Sequence, residues 1–326
     1  MSKKKRNNME AIKIDYSSSD TFYSCPLKYK LKHLDGWRSV HSSSAIRYGH
    51  AFHAGMNGYY SHIQEHGWTR DGAAVQRMIE FAHADFEEES KKGNYYPDYR
   101  TFENLVQLLT SYIDHFYEDH GFLKVIHTER AFQLLIKPTE KELTYYPHLK
   151  PFWFTGRIDM ELELNGMVWT NEFKTTGWQL DTVAKELNRS PQVIGYAYAK
   201  DKIYHEPPEG CLVTIAYSNA RKVKSGDYGK LSIDFRRIPQ IYNQVDLEKW
   251  REHFISLAAQ IQQAKEINHY PPRFQSCYKY GRCEFLALCE QSCQIEKASY
   301  HNFIQEEPWD VTKDVDEKDL MIKEEV

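Results

Sequence analysis

The sequence predicts an α/β fold in one domain: a helical region first, a mixed strand and helix core next, and a cysteine-rich segment near the C-terminus. Apolar and aromatic residues recur at helical spacing through most of the first 120 residues. From Val125 onward, runs that favour β-strands are separated by helical stretches. Four of the six cysteines lie after position 276. This order indicates one α/β domain with a helical insertion.

Each element follows from its local pattern. Helices are predicted over 17–35, 44–66, 71–92 and 101–120, where apolar positions lie three or four residues apart. Strands are predicted over 125–136, 152–164, 167–175, 211–218 and 231–237, where strand-forming residues lie between turn signals. Two later helices are predicted over 182–202, with an interruption at Ser190-Pro191, and over 247–267.

Charge defines the two ends of the chain. Residues 1–14 are predicted to form a flexible basic arm and residues 296–326 an acidic tail, because segments of one charge sign are usually solvated. The last 22 residues carry nine acidic and three basic side chains, so the rest of a chain of net charge −4 stands at +2. A single domain is predicted over 15–295, with a helical part over about 15–122, a core over about 123–270 and a cysteine-rich segment over 271–295.

The composition argues against a membrane-spanning or secreted protein. The sequence has no apolar run of 18 residues, and polar residues follow the basic start Lys3-Lys4-Lys5-Arg6 where a secretory signal would be apolar. We therefore expect a cytoplasmic protein with no membrane partner, a compartment in which structural disulfides are rare. The net charge neither requires nor excludes a DNA partner.

A β-hairpin with chemically active side chains is predicted around Asn165-Gly166, since this dipeptide between alternating apolar runs is a strong turn signal. A two-residue turn pairs Leu164 with Met167 and, further along, Asp159 with Glu172. The two carboxylates would then have Cβ atoms about 4.5–5.5 Å apart. A divalent cation between them would relieve their repulsion, and hard oxygen ligands suit Mg²⁺ or Mn²⁺.

Alternation assigns the other hairpin residues to faces. Lys174 shares the face of Glu172. The opposite, apolar face comprises Ile158, Met160, Leu162 and Leu164. An exposed charged face is the alternative interpretation, because Glu161 and Glu163 lie on the carboxylate side and a turn of another length would shift every pairing.

The pattern Gly156-x-x-Asp159, followed after the hairpin by Glu172-x-Lys174, resembles the core motif of the PD-(D/E)XK nuclease superfamily. The resemblance implies a restriction-endonuclease-like core, in which helices flank a central mixed sheet. It also implies hydrolysis of phosphodiester bonds by a metal-activated water. In that family the Asp and the Glu hold the metal and the Lys positions the water and stabilises charge, which would give Asp159, Glu172 and Lys174 those roles.

Two flanking elements resemble the RecB-like and CRISPR-adaptation branches of the superfamily. The run from Gly49 to His53 resembles a G-x-x-x-H element, which implies that His53 is a further metal ligand, with His50 the weaker candidate. Gln192 and Tyr196 match a Q-x-x-x-Y element and share a helix face, so both could point at the metal or at a DNA phosphate. Packing of Tyr196 against the sheet is the alternative.

The resemblance also implies a second cofactor, which cysteines would bind. In the family, one early and three late cysteines bind a [4Fe–4S] cluster, which takes four thiolates. The matching positions are Cys25, Cys277, Cys283 and Cys289. Zinc stays an alternative, although structural zinc sites favour tighter pairs than the two C-x₅-C spacings here. Cys293 could replace one ligand or be a free thiol, and Cys211 is interpreted as a small buried apolar residue.

The resemblance extends from Ser17 to Cys293 and implies a metal-dependent DNA nuclease. It suggests an exonuclease acting on DNA ends or single strands in recombination, repair or CRISPR-type adaptation. Because the sequence has no G-x-x-x-x-G-K-[ST] motif, any unwinding is expected to come from a helicase or recombination protein. Two alternatives are a non-catalytic DNA-binding or scaffold protein and a zinc-stabilised binding module.

Overall fold

A computed structural model of the chain describes residues 11–68, 72–204, 210–279, 281–290, 302–308, 310, 311, 313 and 320–324. Within these residues a mixed β-sheet has helices packed on both faces, so the predicted α/β fold is confirmed. In the part of the chain so described, no helix is both long and apolar enough to cross a membrane.

Among the described residues, five α-helices lie before Leu123 and five lie after it. The first five are α1 (Tyr16–Ser24), α2 (Pro26–Tyr29), α3 (Ser44–His66), α4 (Ala73–Lys92) and α5 (Phe102–His115). The others are α6 (Glu140–Tyr145), α7 (Leu180–Leu187), α8 (Pro191–Tyr204), α9 (Gln244–Ile267) and α10 (Leu286–Glu290). The predicted interruption separates α7 from α8, since Pro191 opens α8 at a position where a missing N–H costs nothing.

Seven of the strands that the structure describes form one sheet: β1 (Lys13–Ile14), β5 (Leu123–Ile136), β6 (Phe152–Leu164), β7 (Met167–Thr176), β8 (Cys211–Asn219), β9 (Ser232–Gln240) and β11 (Met321–Glu324). Their order in the sheet is β11-β5-β6-β7-β8-β9, with β1 paired to β6. The remaining short strands are β2 (Trp37–Ser39), β3 (His41–Ser42), β4 (Asn94–Tyr95) and β10 (Phe303–Gln305). The β7–β8 pair is parallel and the β5–β6–β7 pairs are antiparallel.

The predicted hairpin register is confirmed next to the turn, whereas the predicted Asp159–Glu172 pair lies one position beyond the recorded ladder. Asn165 and Gly166 have φ of 55° and 77°, the two positive values that a two-residue type I′ turn requires. The ladder runs from Leu164 opposite Met167 to Met160 opposite Asn171, as the turn dictates. The strong local signal therefore set the pairing of the strands that carry the candidate site.

The two faces of the sheet bury separate apolar cores. On β8, Cys211 and Val213 face the core formed with α8 and α9, whereas Leu212 and Ala216 face the core formed with α3, α4 and α5. Cys211 is fully buried, as its interpretation as a small apolar residue predicts.

The alternation of side chains between the two faces of the sheet breaks at Asp159. The prediction that Ile158 shares a face with Met160 is therefore wrong. The Ile158 side chain packs in the α8–α9 core, whereas Met160 packs in the core of α3 to α5. The break lies beside Glu129 of β5, which has a left-handed φ of 48° between the paired residues on either side of it. A backbone irregularity of this kind re-aims the side chains around it.

At both ends of the chain, some residues that the prediction placed in a flexible arm or a solvated tail form strands. Lys13–Ile14 pairs with β6 and Ile14 is 1% exposed, so the arm does not extend to residue 14. In the acidic tail, β10 pairs with β2 and β11 pairs with β5. An edge strand offers free backbone donors and acceptors, which short segments with one or two apolar residues satisfy despite their charge. Residues 1–10 and most of the tail lie outside the described residues.

Candidate active site

Three side chains from separate elements converge where β6 and β7 separate. His53 of α3 places Nδ1 3.3 Å from Oδ2 of Asp159 on β6. Glu129 of β5 joins them, and one ligand atom from each of the three residues lies within 4.8 Å of the others. All three side chains are half-buried, so they remain reachable from solvent. This group, His53, Glu129 and Asp159, is the metal trio below.

Asp159 is held by the neighbouring strand. The recorded β6–β7 ladder ends at Met160 and Asn171. Beyond that pair, the Phe173 N–H donates to Oδ2 of Asp159 at 2.7 Å. A side-chain oxygen thus accepts a hydrogen bond that a backbone carbonyl would accept in a regular pair of strands. Phe173 also packs edge-on to the His53 ring, with centroids 6.3 Å apart. The strand thus fixes both members of the His53–Asp159 pair.

A second polar group adjoins the trio through Glu172 of β7. Its Oε1 accepts from Nζ of Lys174 at 2.6 Å and from Nε2 of Gln192 at 2.9 Å. Lys174 also donates to Oε1 of Gln192 at 2.9 Å, and Gln192 donates to the Tyr196 hydroxyl at 3.2 Å. We call Glu172, Lys174, Gln192 and Tyr196 the lysine network.

The other carboxylate oxygen of Glu172 is a candidate metal ligand. Glu172 is 2% exposed, yet its Oε2 is buried with no hydrogen-bond partner. An unpaired buried carboxylate oxygen costs free energy that a metal ion would recover. The donor set nearby consists of carboxylates and one imidazole, which suits Mg²⁺ or Mn²⁺.

The pKa values of the trio point the same way. Burial acts to lower the pKa of His53, but Asp159 and the other carboxylates raise it to about 9. Burial and then Asp159 raise the pKa of Glu129 to about 8. Burial opposes ionisation of Asp159, yet His53 and the Phe173 N–H lower its pKa overall. The carboxylates of Glu129, Asp159 and the neighbouring Glu172 crowd one another, so their joint ionisation is costly, and the positive charge of a divalent cation would favour it.

Burial likewise dominates at Glu172, and with Asp159 it raises the pKa of that carboxyl more than Lys174 lowers it. At Lys174, burial disfavours the cation, but Glu172 and Asp159 raise its pKa. The ammonium group is therefore held charged and oriented by carboxylates, at a place where a charged donor could face a phosphate.

The structure brings most of the predicted site residues together, with one difference in grouping. His53 and Asp159 are in contact, but the Glu172 carboxylate belongs to the lysine network and not to the group within 4.8 Å. Tyr196 packs against Phe132 of the sheet, with ring centroids 5.8 Å apart, as the alternative interpretation predicts. Its hydroxyl accepts from Gln192, and a role of Tyr196 at a metal or a DNA phosphate stays a prediction. His50 lies outside the site, with its imidazole 58% exposed and 4.0 Å from Glu89.

Sequence reasoning missed Glu129. The only sequence signal is a charged pair, Glu129-Arg130, inside an otherwise strand-like run. Its position opposite Asp159 depends on the β5–β6 register. That register is not set by a short turn, because residues 137–151, including α6, lie between the strands. Only the assembled sheet shows that Glu129 belongs to the site.

We expect Glu129→Gln to weaken Mn²⁺ binding by about tenfold or more, since it removes one of the trio's charges while keeping the side-chain shape. Isothermal titration calorimetry on the full chain measures the change. Glu140→Gln, an exposed glutamate at the start of α6, is the matched control and should bind Mn²⁺ like the unaltered protein. Unchanged Mn²⁺ affinity in Glu129→Gln would exclude Glu129 from the ligand set.

Contacts link the parts of the chain that carry the four predicted cluster cysteines. The Arg273 N–H donates to Sγ of Cys25 at 3.4 Å, and the Cys283 N–H donates to the Cys277 carbonyl at 2.8 Å. Burial raises the pKa of Cys289, and the thiols of Cys25, Cys277 and Cys283 raise it further. These contacts join the end of α1 to the segment before α10. Cys293 lies outside the described residues.

The thiols do not form a compact ligand group in the part of the chain that the structure describes. Among the described residues, the metal trio is the one group of three His, Cys, Asp or Glu ligand atoms that all lie within 4.8 Å.

Comparison with known proteins places these features in a family. The family model described as the PD-(D/E)XK nuclease superfamily matches residues 14–290. No curated protein matches the sequence. A protein of Eubacterium rectale, named as a candidate exonuclease, is 13% identical with a TM-score of 0.45, covering 96% of this chain and 98% of its own. The crystal structure of SSO0001 is 12% identical with a TM-score of 0.30, covering 84% of this chain and 95% of its own.

Both TM-scores are below 0.5, so neither structural likeness bears on activity. The family model carries the assignment, because it covers most of the chain and includes all the elements of the site described above. The matched residues, 14–290, contain the metal trio, the lysine network and the four predicted cluster cysteines. The protein belongs to the PD-(D/E)XK nuclease superfamily.

Proposed function

We propose that the protein is a metal-dependent DNA nuclease, an exonuclease that acts on DNA ends or single strands. His53, Asp159 and Glu172 would hold Mg²⁺ or Mn²⁺, with Glu129 as an additional carboxylate. Recombination, repair and CRISPR-type adaptation are the processes that such an activity would serve. Any unwinding of a duplex would be supplied by a helicase or recombination protein.

One observation carries the proposal: Glu172 is buried with one oxygen bound by Lys174 and Gln192 and the other unpaired. A purely structural carboxylate would have both oxygens satisfied. A scaffold protein would have no need to retain this unpaired oxygen beside a His–carboxylate trio, so the arrangement supports catalysis over the non-catalytic alternative.

A bound divalent ion would polarise the phosphodiester and lower the pKa of a water molecule. The protein's own groups supply orientation. Nζ of Lys174, fixed between Glu172 and Gln192, would hold the attacking water and stabilise the charge that develops on the phosphate. Gln192, supported by Tyr196, would keep Lys174 in place and contact the substrate strand.

We also propose that Cys25, Cys277, Cys283 and Cys289 bind a [4Fe–4S] cluster with a structural role. The raising of the Cys289 pKa by the thiols of Cys25, Cys277 and Cys283 supports it, as does the contact that joins Arg273 to Cys25. Beside them, Leu31, Phe285, Leu288 and Phe303 form a small apolar core that joins α10 and β10 to the N-terminal helices. The cluster would therefore tie the two ends of the chain together.

The catalytic proposal is tested with the Lys174→Ala variant. We expect its kcat for end-labelled DNA with Mn²⁺ or Mg²⁺ to fall by about 10²–10³-fold, the usual cost of losing one charged donor to a developing anion. Anaerobically purified protein is incubated with single- and double-stranded substrates, and the product ladder gives exonuclease or endonuclease action and strand polarity.

Lys185→Ala, at an exposed lysine of α7, is the matched control and should cleave like the unaltered protein. Equal inactivity of the unaltered protein and the Lys174 variant, with the cluster intact, would contradict a nuclease and favour a DNA-binding role. Equal activity of the two proteins would remove Lys174 from the mechanism.

A further inference from the structure

An open groove lies at the end of β7, beyond the site already described. Its volume is about 570 Å³, and it lies between the residues after β7 and the β8–β9 loop. Its lining includes Trp178, Gln179, Tyr217, Asn219, Arg221 and Lys230. We call it the Trp178 groove.

The indole of Trp178 is presented to solvent from a fixed backbone. Its side chain is 77% exposed, although a large aromatic surface gains free energy from burial. The preceding carbonyl, that of Gly177, accepts from Asn219 at 3.1 Å, and the Trp178 N–H donates to Oγ1 of Thr176 at 3.0 Å. A side chain at position 177 would meet the Tyr99 hydroxyl at 2.7 Å, so glycine lets the segment pack closely. The exposed ring therefore lies on a well-supported segment.

The facing wall of the groove is basic in a chain of net charge −4. Residues 220–231 contain four basic side chains and one acidic side chain. Of the basic residues, Arg221 and Lys230 line the groove, and Lys222 and Lys224 lie in the same loop. All four side chains are exposed. The loop is ordered by its own hairpin: the Val223 N–H donates to the Asp227 carbonyl at 2.8 Å, and Gly226 has φ of 92°.

The groove lies a short distance along the chain from the lysine network. Trp178 follows Lys174 by four residues, and an extended strand rises about 3.3 Å per residue, so the two positions lie within about 13 Å. A DNA strand with one phosphate at Lys174 would thus pass the Trp178 groove a few nucleotides away.

We propose that the Trp178 groove binds single-stranded DNA that runs to or from the candidate active site, with one base stacked on Trp178 and the phosphates facing the basic wall. The inference rests on the proposed nuclease function and specifies its substrate as an unpaired strand. Stacking on an exposed indole needs a free base face, which a paired base inside a duplex does not offer. The basic side chains supply the complementary charge that a DNA backbone requires.

The experiment measures binding apart from cleavage. The full chain carrying Lys174→Ala, chosen so that the probe is not consumed, is titrated into fluorescein-labelled oligothymidylate and followed by anisotropy. Adding Trp178→Ala should raise Kd by about fivefold to about 150-fold, the range for one lost base–aromatic stack. Trp178→Phe should keep most of the affinity. Tyr145→Ala, at an aromatic residue 69% exposed on α6, should leave Kd unchanged.

The basic wall is tested through salt dependence. In the double variant Arg221→Ala/Lys230→Ala, at the two basic residues that line the groove, the slope of log K against log salt should decrease by about 0.7 for each of them that meets a phosphate. The double variant Lys141→Ala/Lys150→Ala, at exposed lysines elsewhere on the surface, should keep the slope of its parent.

The outcomes separate this inference from the function on which it rests. Unchanged Kd and slope in the groove variants would overturn the groove, whether or not the protein cleaves DNA. An equal loss of affinity for duplex DNA would overturn the single-strand assignment, and tighter binding of RNA of matched sequence would overturn the DNA assignment. If the unaltered protein cleaves nothing while Trp178→Ala weakens binding, the groove stands and the nuclease proposal fails.

Discussion

Asp159→Asn is expected to abolish metal-dependent cleavage, lowering kcat for DNA by about 10³-fold or more. Asp159 is the member of the metal trio that contacts both His53 and the β7 backbone. The amide keeps an oxygen that can accept from the Phe173 N–H, so the strands should stay in register. It loses the negative charge that would hold a divalent cation.

The measurement pairs cleavage rates with calorimetric Mn²⁺ binding, and both should be lost together. Glu163→Gln on the same strand is the control: its side chain is 41% exposed and lies 3.8 Å from Lys124, away from the trio. It should retain both activities. Near-normal cleavage by Asp159→Asn at saturating Mn²⁺ would show that the trio is not the catalytic metal site.

Cys25→Ser is expected to give the largest loss of stability. If a cluster binds there, it joins positions about 250 residues apart, and the closure of so long a loop contributes about 5 kcal/mol in the chain-entropy account. For a protein of this size, that loss corresponds to a decrease in Tm of about 7 °C. We expect the broad absorbance at about 400 nm to disappear with it.

Absorbance, iron content and thermal unfolding of anaerobically purified variants give the test. Cys211→Ala is the matched control, because Cys211 is a buried core residue of β8 apart from the predicted cluster cysteines, and it should keep its colour. A colourless unaltered protein that contains zinc would contradict the iron–sulfur proposal. A brown protein whose Tm is insensitive to cluster removal would contradict only the structural role.

The hairpin shows how far local sequence can determine a site. Asn165-Gly166 favours two consecutive positive φ values, and that preference sets the β6–β7 pairing without help from the rest of the chain. Alternation then places Glu172 and Lys174 on one face, and helical spacing places Gln192 beside Tyr196. Short-range geometry of this kind is encoded within a few residues, so it can be predicted.

Contacts between residues that are far apart in the sequence cannot be predicted in the same way. His53 and Asp159 meet across 106 positions because α3 packs on the sheet, and Glu129 faces Asp159 through a pairing that no short turn specifies. The ends of the chain differ from prediction for a similar reason: free strand edges recruited Lys13–Ile14 and Met321–Glu324, and charge composition does not reveal such edges.

The sequence by itself therefore determined the α/β class, the hairpin register, the order of the elements and the residue types of the candidate site. Only the tertiary structure decided that Glu129 joins the trio, that Glu172 keeps a buried unpaired oxygen, and that Trp178 projects beside a basic loop. Turns and alternation depend on neighbouring residues. Burial and ligand geometry depend on which distant surfaces meet, and that is settled by packing of the whole chain.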